Sequence, residues 1–136
     1  EPQIYEDGNQ VRDFVNIHDV VDANIAVMED QRADYEMYNV GGGAPITVNQ
    51  FASACAEVYG IKNYEPKPCG KYRFGDTRHI WSDITKLQNL GWEPQKTIYD
   101  SIIEYKEWLG TASSVENIIE YCEKKMKELN VLRDIS

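Results

Sequence analysis

The stretch Tyr5–Asp22, YEDGNQVRDFVNIHDVVD, constrains this chain most, because one short run must turn, extend and then start a helix. Asp7-Gly8 is a turn dipeptide. Asp13–Ile17 carries Phe14 and Val15 and predicts a short buried strand. Asp19 is placed to cap a helix beginning at Val20-Val21. Arg12 stands where the turn meets the strand. A guanidinium at such a rim, joined by a second from elsewhere, makes a clamp for a phosphate or carboxylate. The second is Arg73, in KYRFGDTRH, just before the Gly75-Asp76 turn.

The rest of the chain alternates short extended runs with helices. Gln3–Tyr5 predicts a brief edge strand. Residues 20–30 are apolar nearly all round, the pattern of a helix covered on more than one side. Glu36–Val40 predicts a second short strand, followed by a Gly41-Gly42-Gly43 loop. Thr47 with Gln50 is a capping box opening a helix that Gly60 stops. Two prolines keep 64–69 out of any central strand. Arg73–Thr77 reads as a turn and His79–Ser82 as a short extended run. Asp83–Leu90 predicts a short helix ended by Gly91, then a Trp92-Glu93-Pro94 loop. Thr97 with Asp100 opens a helix bearing Ile98, Ile102, Tyr105 and Leu109, broken by Gly110. Ser113 with Glu116 opens a last helix, running to Asn130 with a stripe of Val115, Ile118, Ile119, Cys122, Met126 and Leu129. The sum is an α+β fold, a small lobe of short strands and about five helices. Residues 1–110 form the lobe and 111–136 a C-terminal amphipathic helix and tail.

Composition excludes several classes. The formal charge of −9 argues against a nucleic-acid-binding face, yet a local arginine pair can still hold an anion. No apolar run is long enough to span a membrane. Cys55, Cys69 and Cys122 have neither metal-like spacing nor an even count, which points to a reducing, cytoplasmic setting. His18 and His79 belong to no triad or metal pattern. Gly41-Gly42-Gly43 fails as a dinucleotide fingerprint, because G-x-G-x-x-G would need glycine where Ile46 stands. The chain does not begin with Met, which suits a fragment, a processed chain or a partial one.

DGNQVRDFVNIHDVV, YNVGGG, YRFGDTRH with SDI, and LGWEP occur in an order that resembles the C-terminal half of the extended short-chain dehydrogenase/reductases. Within them the chain is similar to the NAD-dependent nucleotide-sugar epimerases and dehydratases, over roughly Gln3–Leu109. The resemblance implies a substrate lobe that accompanies a Rossmann NAD-binding domain absent from this chain. It assigns Arg12 and Arg73 to the diphosphate of a nucleotide sugar, and Asp76 to the ribose hydroxyls, for which an acceptor-only carboxylate is suited. It places Gln3, Ile4 and Tyr5 along the pyrimidine base. The group's catalytic Tyr-x-x-x-Lys is matched in letters by Tyr121 and Lys125, but these follow every matched motif, whereas the group's pair lies in the Rossmann domain. Both are therefore read as surface residues. No catalytic, cofactor-binding or metal-binding residue is assigned here.

The implied enzyme oxidises a sugar carbon transiently to NAD and inverts it, and this lobe, inactive alone, supplies grip on the nucleotide. A dehydratase or reductase lobe is the alternative. A non-catalytic interaction module is a third reading, disfavoured because a scaffold has no need of Arg12, Arg73 and Asp76 together. Expected partners are the nucleotide-diphosphate sugar, the Rossmann domain and further copies of the chain. The apolar faces at 20–30 and 115–129 should be left bare without a covering domain.

Overall fold

The computed structural model describes residues 2–112 and 118–135. Among them are five α-helices and four strands of two or three residues, the α+β arrangement expected. β1 (Val11–Arg12) pairs antiparallel with β2 (Ile46–Thr47), Val11 facing Thr47 and Arg12 facing Ile46. His79 forms a parallel bridge to Val11, and Ile80 N–H donates to the Val11 carbonyl at 3.2 Å. The backbone carrying Arg12 is therefore held by two neighbours.

α1 (Ile17–Glu29) packs through Ala23 onto a core of Ile84, Leu87 and Trp92, so α3 (Thr85–Gln88) and the loop after it sit beneath α1. α2 (Val48–Val58) and α4 (Ile98–Thr111) lie against each other. Each begins with a reciprocal capping box, Thr47 with Gln50 and Thr97 with Asp100, which satisfies two otherwise orphaned N–H groups per helix. The buried residues of α2 are all alanine, Ala52, Ala54 and Ala56, and so short a surface lets its neighbours come close. Phe51 of α2 stacks on Phe14 with ring centroids 4.4 Å apart and planes 4° from parallel. This ties the segment after β1 to the helix pair. α5 (Ile119–Glu128) turns at Asn130, whose φ is 58°, into β4 (Leu132–Asp134). β4 pairs antiparallel with β3 (Lys71–Arg73), and Arg73 faces Leu132.

Several local expectations are corrected. The strand near the front of the chain is Val11–Arg12, and Asp13–Asn16 joins no ladder. Helix α1 starts three residues before Val20, because Asn16 accepts from His18 N–H and is the cap. Asp19 is instead buried inside the helix, with its carboxylate turned to another loop. Glu36–Val40 pairs with no strand among the described residues; Tyr38 and Val40 simply pack on the α1–α3 core. Arg73 ends a strand rather than opening a turn, because β4 supplies a partner for it. Gly110 lies inside α4, which runs one residue further. The tail helix ends at Glu128, two residues short of Asn130, and the chain then becomes a strand. The proposed start at Ser113 and Glu116, and Val115 of the stripe, lie outside the described residues.

α1 is apolar nearly all round but is covered on one side. Ile17, Val21, Ile25 and Met28 form an outward stripe, with Met28 84% exposed. No described helix is long and apolar enough to cross a membrane.

Candidate functional site

Four pieces of chain meet around Arg12. One guanidinium nitrogen, Nη1, donates to the carbonyls of Val11 at 2.9 Å and Arg78 at 3.0 Å. The other, Nη2, donates to Asp76 Oδ2 at 3.1 Å. Both side chains keep part of their surface in water, 26% for Arg12 and 41% for Asp76. Asp76 follows Arg73 by one turn, and its N–H donates to the Arg73 carbonyl at 3.2 Å. Gly75 supplies the left-handed φ of 84° which that turn requires. Arg73 itself lies over the Tyr5 ring, 4.8 Å from its centroid. Arg12, Asp76, Arg73 and Tyr5 are thus linked by direct contacts and one short turn.

The segment before Asp7, a single Ile4–Pro68 bridge rather than the strand expected over Gln3–Tyr5, is fixed to the same place. Glu6 N–H donates to the Lys71 carbonyl at 2.7 Å, and Cys69 N–H donates to the Ile4 carbonyl at 2.8 Å. Ile4 is fully buried, a core residue, and its carbonyl is already engaged. The Tyr5 carbonyl accepts from Gly8 N–H at 3.3 Å and Gln10 Nε2 at 2.9 Å. The Tyr5 carbonyl thus has both lone pairs engaged, whereas the Ile4 carbonyl has taken one donor of two. Gln3 is exposed and lines an open cleft of about 340 Å³ with Pro2, Lys67, Pro68, Cys69 and Lys71.

Arg78 and Asp13 have structural weight at the site that was not assigned from the sequence, and Asp19, further along, has a role other than the cap expected of it. Arg78 reaches Glu6 and Asp7, each at 2.7 Å, and holds the Asp7 carboxyl well below the usual carboxylate range by its hydrogen bond. It thereby staples the Asp7-Gly8 turn to the segment that follows Asp76. Asp13 accepts from Gly42 N–H at 2.7 Å through one oxygen and from Ser82 N–H at 2.9 Å through the other. Asp19 does the same for Gln95 and Lys96 N–H, both at 3.0 Å. The available signal was the pair of acids flanking Asn16, but nothing local names partners so far along the chain.

The glycine loop does not fit a dinucleotide. The Gly42 N–H that would meet a pyrophosphate already donates to Asp13, and a carboxylate stands where an anion would have to come. A Cβ on Gly41 would overlap that carboxylate, and one on Gly42 would overlap the Phe14 carbonyl. The loop's glycines serve close packing. Among the described residues no group of His, Cys, Asp and Glu is arranged to hold a metal. Tyr121 is exposed, and Lys125 is paired with Glu128 at 2.7 Å. His18 is 3.9 Å from Glu104 on the surface.

Comparison with known proteins gives the chain its relatives. The sequence model of the NAD dependent epimerase/dehydratase family matches residues 1–41. The chain is 37% identical over 107 residues to dTDP-L-rhamnose 4-epimerase of Burkholderia thailandensis, covering 78% of this chain and 29% of that protein. Its fold is similar to the crystal structure of Thermotoga maritima UDP-glucose 4-epimerase with UDP-glucose, at TM-score 0.65 and 36% identity, covering 80% of this chain and 36% of that one. It is also similar to dTDP-glucose 4,6-dehydratase of Bacillus anthracis in complex with NAD, at TM-score 0.66 and 25% identity, covering 82% and 34%. The chain spans about a third of the length of the proteins it matches.

Proposed function

From kinship with the NAD dependent epimerase/dehydratase family, we propose that this chain is the nucleotide-diphosphate-sugar-binding lobe of an NAD-dependent nucleotide-sugar epimerase. The observation that carries the reading is the Arg12–Asp76 contact, with Arg73 at the other end of the same turn. On this reading the guanidiniums of Arg12 and Arg73 take the diphosphate and the Asp76 carboxylate takes the ribose hydroxyls, roles that these groups suit chemically. On this reading residues 1–110 are the gripping lobe and 111–136 a C-terminal tail, of which β4 pairs with β3. The dinucleotide, the proton-transferring tyrosine and its lysine belong, on this reading, to the two-thirds of such proteins that the chain does not match. Binding energy gathered here on the unreactive nucleotide holds the sugar for chemistry performed elsewhere. A dehydratase lobe is the second reading, favoured by the likeness to dTDP-glucose 4,6-dehydratase.

Titration calorimetry of this chain with UDP, dTDP, GDP and NAD tests the proposal. Saturable binding of at least one nucleoside diphosphate is expected, and none of NAD. Silence with all three diphosphates, or a micromolar NAD isotherm, would reverse it.

The outward stripe Ile17–Val21–Ile25–Met28 is the face we assign to a covering domain. In its absence the isolated chain is expected to self-associate through that face. Sedimentation over a roughly hundredfold concentration range should show mass rising with concentration, as mass action requires. Constant monomer mass across that range would show that α1 needs no cover.

A further inference from the structure

The C-terminal segment does more than extend the lobe, because it meets the chain at the strand that leads into the candidate site. β4 is the only ladder partner of β3 among the described residues. Beyond the paired residues, Phe74 N–H donates to the Val131 carbonyl at 2.7 Å and Ile135 N–H to the Gly70 carbonyl at 2.8 Å. Side chains add three more ties. Leu132, opposite Arg73, is only 6% exposed. Lys71 Nζ meets Glu123 of α5 at 3.4 Å, with about four-fifths of each side chain covered. The Arg133 guanidinium lies 3.9 Å from the centre of the Phe74 ring, and its Nε donates to the Asn130 carbonyl at 3.0 Å, which fixes its aim.

Phe74 is the residue between Arg73 and the Gly75-Asp76 pair. Its ring is largely exposed, so little besides Arg133 restrains it. A turn of this kind, with a glycine at its centre, has several shapes open to it once its entering strand loses a partner. The shape seen here sets Asp76 on Arg12 and Arg73 over Tyr5.

We propose that α5–β4 is a strap that holds the Arg73–Asp76 turn in its ligand-gripping shape, with Arg133 as the positioning residue that acts through Phe74. The proposal rests on the nucleoside-diphosphate reading for its ligand, and on the β3–β4 geometry for its mechanism. Arg133 faces the ring and touches none of the residues assigned to the ligand. Docking of the tail and occupancy of the site are therefore coupled equilibria: a bound diphosphate tightens the strap, and a loosened strap weakens the diphosphate.

The test uses the full chain with three substitutions, Leu132→Asp, Arg133→Ala and Arg133→Lys. Two readouts are taken: amide exchange along 70–76 against that of α2 and α4, and calorimetric affinity for the nucleoside diphosphate the parent chain binds. Leu132→Asp should speed exchange at Phe74 while α2 and α4 stay protected, and should weaken binding about tenfold. Arg133→Ala should weaken binding in the same direction, and Arg133→Lys should restore most of it, because the cation over the ring returns. Unchanged affinity in both Leu132→Asp and Arg133→Ala overturns the strap. If Leu132→Asp unfolds the whole chain, the Arg133 pair decides alone. If the parent chain binds no nucleoside diphosphate, it is the functional reading that fails. Exchange then decides the strap: faster exchange at Phe74 and Asp76 in Arg133→Ala upholds it, and unchanged rates overturn it.

Discussion

Replacing Asp19 by alanine is expected to cost the chain roughly 2–3 kcal/mol of stability, although Asp19 touches no ligand. The side chain is 2% exposed, on the inner face of α1. Its two oxygens each accept one backbone N–H, from Gln95 and Lys96, in the loop that leads from buried Trp92 to the start of α4. Alanine leaves both donors without their partner and removes the bond between α1 and α4's entry. Neighbouring groups extend the same junction: Asn16 donates to Ser101 Oγ at 3.1 Å and Glu104 Oε2 at 2.8 Å, and Lys96 meets Glu104 at 3.1 Å. Asp19→Asn keeps the shape and one acceptor oxygen but brings an NH₂ toward an N–H, so it should fall between parent and alanine. Urea unfolding monitored by circular dichroism checks this. The midpoint should drop with little change in slope, and a loss below about 0.5 kcal/mol would mean that water satisfies the loop as well as the carboxylate does.

Asp19 also shows what the sequence leaves open. From the sequence Asp19 is the expected cap of α1, whereas the structure gives that role to Asn16, a residue type equally suited to it. The choice between them is made by a loop 76 residues away that needs an acceptor, and no local pattern contains that demand. Asp13 is the same case, with its partners Gly42 and Ser82 on two distant segments. The capping boxes at Thr47 and Thr97 were legible because both halves lie within four residues of each other. Gly60 and Gly91 were legible as stops because a positive φ is written into the residue itself. β3 and β4 were not, since three-residue strands with no alternating pattern exist only through each other. Of the candidate site, Arg12, Arg73 and Asp76 stood out by their motifs, but the Arg12–Asp76 contact was not read from the sequence. Arg78, which staples the rim, did not stand out, because it looks like any other surface arginine until the turn at Asp7 is brought beside it.

Arg12→Ala should weaken binding of a nucleoside diphosphate to this chain by about 2–3 kcal/mol, roughly 30- to 150-fold. Two effects add. The ligand loses a cation able to make two directed hydrogen bonds to phosphate oxygens. It also gains an unneutralised neighbour, because Asp76 is paired with Arg12 at 3.1 Å and would stand alone beside the incoming anion. The second effect is separable. Asp76→Asn removes the repulsion and keeps one acceptor oxygen for the ribose hydroxyls, so Arg12→Ala combined with Asp76→Asn should bind more tightly than Arg12→Ala alone, though still more weakly than the parent. The difference from additivity is the coupling between the two side chains. Arg73→Ala should cost a similar factor if Arg73 shares the anion, and its loss should not change the Arg12–Asp76 coupling, since its guanidinium rests on Tyr5. Calorimetry at two salt concentrations completes the test, because a contact between a partly exposed cation and a diphosphate weakens as salt rises. An Arg12→Ala variant that folds normally and binds within about twofold of the parent would remove the clamp, because no diphosphate site built on this rim can lose its central cation and keep its affinity.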